Sequence, residues 1–256
     1  MVKFFVFTRG RTGSTAIVDE LNNSEGVLAL QELFIRGDFS GDENDALEEK
    51  NAILRFDLWK KRDPWFLRII PFSLGDKYRA RRYFCVIEER AHGNGASAFG
   101  LKVLTHHFTQ RPYLADILRA RGYKAIYLRR NVARQVLSGM LAQQTGVYNL
   151  KGDFNNEKEY EIDLREYEAA LLRGKQELEM DVVMLRESGF PVIVVDYEDW
   201  LSDREGFFGT VLEYLEVPYR LPSKTDYAVM IKDMAKTIKN IDEVESCARS
   251  LGVPLV

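Results

Sequence analysis

Cysteine is scarce. Cys85 and Cys247 are the only 2 in 256 residues, and they lie too far apart to suggest a disulfide framework or a metal-ligand spacing. That usage fits a reducing compartment. Long apolar runs are also missing. The start, Met1 to Phe7, is interrupted at once by Thr8-Arg9-Gly10-Arg11. It is too short for a signal-peptide core and has no small-residue cleavage site. No other run approaches the length of a bilayer span, so a cytoplasmic protein is expected. A basic surplus is absent too: 36 Lys and Arg face 39 Asp and Glu, for a formal net charge of −3. This argues against nucleic acid as a partner and requires any anionic ligand to be held by a local cluster of cations. With no internal repeat, low-complexity tract or Pro/Gly-rich linker, residues 1–256 read as a single domain.

What is present is an ordinary globular composition, 46% hydrophobic and 29% charged, in a chain long enough to bury most of its surface without staples. Four apolar, β-branched runs read as strands buried on both faces: Val2 to Thr8, Ala98 to Thr105, Tyr123 to Leu128 and Pro191 to Asp196. A shorter strand is expected at Val27 to Leu30. Helical patterns lie between them, at Ser14 to Leu21, parts of 44–62 and 77–91, Arg111 to Arg121, Val132 to Thr145, and Leu164 to Glu187. Strands alternating with helices predict an α/β fold of three layers, with a mostly parallel central sheet flanked by helices.

Ligands of such sheets bind beyond the carboxyl ends of the strands. The candidates on that rim are Arg9-Gly10-Arg11-Thr12-Gly13-Ser14-Thr15, Gln31-Glu32, Thr105-His106-His107, Arg129-Arg130-Asn131 and Tyr197-Glu198-Asp199. Strand, glycine-containing loop, then helix is an anion-binding arrangement, because helix N-termini offer unpaired N–H groups and partial positive charge. Gly10 and Gly13 allow a tight turn, Ser14 and Thr15 can cap the helix, and Arg11 can reach back over an anion. The alternative is a tight strand-to-helix turn with an ordinary cap. The pattern of nucleotide hydrolases fails, since 2 residues rather than 4 separate Gly10 from Gly13 and Ser14 stands where Lys is needed. No strand-end acid stands out as a magnesium anchor, so no metal is expected.

A second anion site is expected where Tyr123 to Leu128 runs into Arg129-Arg130-Asn131, with Asn131 as N-cap. Arg130, Arg134 and Ser138 follow at four-residue steps, near one face of the next helix. The alternative is a solvated basic face. Two anion sites on adjoining strand ends suit a nucleotide phosphorylated at two separate positions.

These motifs resemble a known family. RTGST at 11–15 resembles the 5′-phosphosulfate loop of sulfotransferases, and LRRNVARQVLS at 128–138 is similar to their 3′-phosphate motif, an Arg at a strand end with a Ser eight residues later. FGLKV at 99–103, QTG at 144–146 and YEDW at 197–200 resemble further recurring segments. Glu32-Leu33-Phe34 resembles a motif of the bacterial trehalose sulfotransferase type. The similarity covers residues 2–36 and 98–215 and is weak between 37 and 97. It implies a P-loop-like fold that uses 3′-phosphoadenosine 5′-phosphosulfate as sulfuryl donor. Arg11, Thr12, Gly13, Ser14 and Thr15 would bind the 5′ side, and Arg130 and Ser138 the 3′-phosphate. Arg11 departs from the Lys common at its position. His106 and His107 follow Lys102 at a longer spacing than the His base of animal sulfotransferases.

Sulfuryl transfer needs positioning, cationic stabilisation and a base for the acceptor proton. Glu32, returned to the rim by the second strand, is the first candidate; its alternative is a structural pair with an Arg such as Arg11. His106 and His107 rank second and would otherwise cap a strand end. Lys102 would stabilise the bridging oxygen or merely snorkel to the surface. Tyr197, Trp65 and the loop around Tyr148 are adenine-stacking, lid or packing aromatics. The acidic run of 38–49 reads as a solvated helix face, or more sharply as a rim favouring a cationic acceptor. The acceptor is expected to be a small molecule, and a homodimer stays open. The rivals are a small-molecule kinase using ATP and magnesium, a non-catalytic nucleotide-binding module, and a scaffold.

Overall fold

The computed structural model describes residues 1–35, 53, 55–61, 72–148, 158–227 and 234–255. Trp65 and the acidic run of 38–49 lie outside them. Five strands, β1 (Val2–Thr8), β2 (Val27–Leu30), β3 (Ala98–Leu104), β4 (Lys124–Arg129) and β5 (Val192–Asp196), form one sheet in the order β2-β3-β1-β4-β5. Every pairing is parallel, so all five carboxyl ends share one rim.

The helices, in chain order, are α1 (Ser14–Asn22), α2 (Phe56–Lys60), α3 (Phe72–Gly93), α4 (Thr105–Gln110), α5 (Tyr113–Ala120) and α6 (Val132–Thr145). They continue as α7 (Leu164–Glu187), α8 (Tyr197–Ser202), α9 (Arg204–Tyr214), α10 (Met234–Thr237) and α11 (Ile241–Ser250). No helix among the described residues is long and apolar enough to cross a membrane.

The central strands are apolar on both faces because both are covered. Along β1, Phe5 and Phe7 point into a layer with Tyr83, Phe84, Phe108 and Leu185, whereas Phe4 and Val6 point into one with Ile17, Leu21, Trp200 and Phe208. The period of two thus sends one strand's phenylalanines to opposite helix layers. Each fully buried ring is worth about 1.5–3 kcal/mol. Gly100 faces Phe4 across the β1–β3 register because a Cβ there would sit 2.4 Å from the ring. A third apolar cluster joins α6, α7 and α11 through Leu137, Tyr167 and Val244.

One expected boundary differs in a way that matters. Thr105, His106 and His107 do not close strand β3, which ends at Leu104; they open α4. The cause is local. The buried His107 side chain turns back and accepts a hydrogen bond from the Leu104 backbone N–H at Nδ1, 3.2 Å away.

Candidate active site

The loop between β1 and α1 is shaped by two left-handed residues, Arg11 at φ 66° and Gly13 at φ 76°. Gly13 occupies the N-cap position of α1 without any side-chain cap. Neither Ser14 nor Thr15 serves as the cap, because both lie inside the helix. A Cβ on Gly13 would lie 2.1 Å from the Tyr197 ring, so glycine is required both for the backbone and for space. Thr12 is buried, its hydroxyl 2.6 Å from that of Thr8 and bonded to the Arg9 carbonyl at 3.1 Å. Its side chain therefore braces the loop. An anion here would meet the backbone N–H groups of Ser14 and Thr15, which open α1, since Ala16 and Ile17 already donate to the Gly13 carbonyl at 3.1 and 3.3 Å.

The second site adjoins the first. Arg130 Nη1 donates to the Arg11 carbonyl at 2.8 Å, and its guanidinium lies 4.6 Å above the centre of the Tyr197 ring. Arg11 in turn donates through Nη2 to the Ser138 hydroxyl at 3.1 Å and also to the Tyr148 carbonyl, with its guanidinium 6.0 Å from the Tyr148 ring centre. Gln135 holds the Gly10 carbonyl at 2.7 Å. Burial lowers the pKa of both arginines from the ordinary value, and the charge of Arg130 lowers Arg11 further. Arg130 Nε is buried without an acceptor. Two neighbouring cations that disfavour each other, beside a buried hydroxyl, fit a phosphate.

Arg134 does not join them. Asn131 caps α6 as expected, accepting from the Arg134 backbone N–H at 3.0 Å, but the Arg134 side chain bonds the Leu255 carbonyl at 2.5 Å. Arg130 precedes the helix, so the four-residue step did not govern its direction. Tyr197 is buried under the loop between Gly13 and Arg130, which makes it packing rather than an exposed stacking surface.

The third group lies at the ends of β2 and β3. Glu32 Oε1 is 2.9 Å from Lys102 Nζ, which also donates to Thr15 Oγ1 at 3.0 Å. Lys102 is buried and does not snorkel to solvent. The carboxylate's ion-pair partner is thus Lys102 and not Arg11, and Lys102, donating also to Thr15, links it to the anion loop. The other oxygen, Oε2, stands 3.8 Å from His107 Nε2. Burial raises the Glu32 pKa, but Lys102, aided by His107 and His106, reverses this and holds it below the usual carboxylate range. Burial pushes His107 down to about 4 against the pull of Glu32. His106 is exposed, its ring edge-on to His107 with centroids 4.5 Å apart.

One functional pairing escaped the sequence reading. Arg9 grips Asp181 bidentately, Nε at 2.6 Å and Nη2 at 2.7 Å, and reaches Glu177 at 2.6 Å. Asp181 also accepts from Tyr127 at 3.3 Å and Thr105 at 3.4 Å. The first loop residue is therefore fastened to α7 and to the ends of β3 and β4. Asp181 lies three residues after Leu178 and four before Leu185, an acid on an apolar stripe, and that was the available signal.

No family model and no curated protein matches the sequence. Among solved structures, the chain is similar to the sulfotransferase domain of the Synechococcus PCC 7002 olefin synthase, with TM-score 0.51 and 14% identity over 86% of this chain and 74% of that one. It is also similar to the sulfotransferase domain from the curacin biosynthetic pathway, with TM-score 0.50 and 12% identity over 100% of this chain and 99% of that one. At such identity the likeness is one of fold.

Proposed function

We propose that this chain is a sulfotransferase of the trehalose sulfotransferase-type branch, moving a sulfuryl group from 3′-phosphoadenosine 5′-phosphosulfate to a hydroxyl, or an amine, of a small-molecule acceptor. One arrangement carries the reading. Two adjoining anion sites share Arg11, and an ionised carboxylate, Glu32, sits on the same rim without belonging to either. The α1 N-terminus and Arg11 would hold the 5′ side of the donor, and Arg130 with Ser138 its 3′-phosphate. Ser138 now accepts from Arg11, so nucleotide binding would exchange that bond for one to phosphate.

In the reaction the acceptor oxygen forms a bond to sulfur while the bond from sulfur to the 5′-phosphate oxygen breaks. The electron pair leaves with 3′-phosphoadenosine 5′-phosphate, and the acceptor proton passes to Glu32. Glu32 is ionised and so ready to take it. Lys102, linked to both Glu32 and Thr15, places its charge between base and loop, where negative charge shifts during transfer.

The test is ligand stabilisation. 3′-Phosphoadenosine 5′-phosphate should raise the melting temperature far more than ATP with magnesium. A ligand at a hundred times its dissociation constant adds about 2.7 kcal/mol. Equal or greater stabilisation by ATP with magnesium would replace this reading with a kinase.

A further inference from the structure

The two ends of the His107 ring meet different partners, and together they define its protonation. Nδ1 accepts from the Leu104 backbone N–H at 3.2 Å. A backbone N–H can only donate, so Nδ1 must present its lone pair and the neutral ring carries its proton on Nε2. That proton faces Glu32 Oε2 at 3.8 Å, and Nε2 has no hydrogen-bond partner although the residue is fully buried. Moving the proton to Nδ1 would set two N–H groups against each other. Placing a second proton on the ring would do the same, in a site where His107 already faces Lys102, His106 and Arg111 and only Glu32 favours the charge.

Building on the sulfotransferase reading, we propose that His107 is a positioning residue, whose Nε2–H steadies the second oxygen of Glu32 while Lys102 holds the first, and that it is not the group that accepts the acceptor proton. The gap of 3.8 Å is about 1 Å longer than a hydrogen bond. Such contacts commonly tighten when substrates close the site. With one donor on each oxygen, the carboxylate plane is fixed and the remaining lone pairs are aimed by the protein.

Two substitutions separate the ring's two ends. His107→Asn keeps an acceptor for Leu104 N–H but falls short of Glu32, whereas His107→Gln extends an N–H donor towards Glu32. In the asparagine variant kcat should fall about ten- to hundredfold, the usual worth of a residue that orients a reacting group, with the donor KM unchanged. The acid limb of its kcat profile should move to higher pH, because an ionised Glu32 has lost a donor. The glutamine variant should recover most of both losses. A purely structural cap predicts the reverse order, and a histidine base predicts that both variants are dead; either outcome overturns the proposal.

A measurement independent of activity goes with it. The imidazole 15N pattern of the wild-type protein should show the Nε2–H tautomer of His107, neutral down to about pH 5, with the Nε2 signal shifted in Glu32→Gln. The Nδ1–H tautomer, or protonation near neutral pH, would refute the arrangement. Failure of the sulfotransferase reading itself would look different, as no binding of 3′-phosphoadenosine 5′-phosphate by the wild-type protein.

Discussion

Arg130 donates to the carbonyl of Arg11 at 2.8 Å, so the residue at the end of β4 holds the residue that turns the anion loop. The two proposed phosphate sites are therefore mechanically joined. Arg130→Ala should weaken binding of 3′-phosphoadenosine 5′-phosphate by about 1.5–3 kcal/mol, the range for hydrogen bonds to charged groups. Adenosine 5′-phosphate, which lacks the 3′-phosphate, should lose less, with a residual loss from the unsupported Arg11 carbonyl. Calorimetric titration of both ligands decides it. Equal weakening would mean that Arg130 only supports the loop.

Glu32 is assigned the proton. Glu32→Gln should leave donor affinity intact and cut turnover by roughly a hundred- to ten-thousandfold, the worth of a positioned general base. His106→Asn and His107→Asn should both keep more activity than that. Near-normal turnover in Glu32→Gln beside collapse in a histidine variant would transfer the role. Lys102→Met removes the cation that holds Glu32 ionised, so its acid limb should rise in pH.

Gly13 has two reasons to be glycine, a left-handed backbone and the Tyr197 ring. Gly13→Ala should cost about 1–2 kcal/mol for the backbone alone and more for the clash. Urea denaturation would show it, and wild-type stability in this variant would contradict the geometry.

Arg9 compensates a buried carboxylate. Arg9→Met leaves Asp181 with only hydroxyl partners and should destabilise the fold by about 3–5 kcal/mol. Adding Asp181→Leu should restore part of that loss, measured as a double-mutant cycle. Without any coupling between the two, the latch would be idle.

Acid should loosen the protein through His107. Its folded pKa of about 4 lies below the ordinary 6.5, so between these values the unfolded chain binds more protons. Stability is thus complete above pH 6.5 and is lost as pH falls towards 4, by at most about 3 kcal/mol for this group. The lowered pKa of Glu32 acts in the same direction. His107→Asn should flatten the dependence of urea stability on pH between 7 and 4.5. An unchanged slope would exonerate the histidine.

Sequence by itself determined the parts whose physics is local. Apolar runs marked the five strands within a residue or so at each end, and in β1, β3 and β4 burial on both faces leaves no polar alternation. The edge strand β5 departs from that expectation, only partly covered and with Val194 exposed. The glycine loop, the Asn131 cap and the parallel rim followed from backbone chemistry and connection rules, and these gathered Glu32, Arg11 and Arg130 before any side chain was placed; Ser138 came from helical spacing and Lys102 from the family resemblance alone. Tertiary structure alone decided who faces whom. The partner of Arg9 lies 172 residues away in sequence, Arg134 turns to a carbonyl 121 residues distant, and Glu32 pairs with Lys102 instead of Arg11. No periodicity encodes such pairings, since they depend on rotamers and on which helix covers which strand end. The tautomer of His107 is the sharpest case. It is set by one backbone N–H whose direction exists only once β3 has ended and α4 has begun.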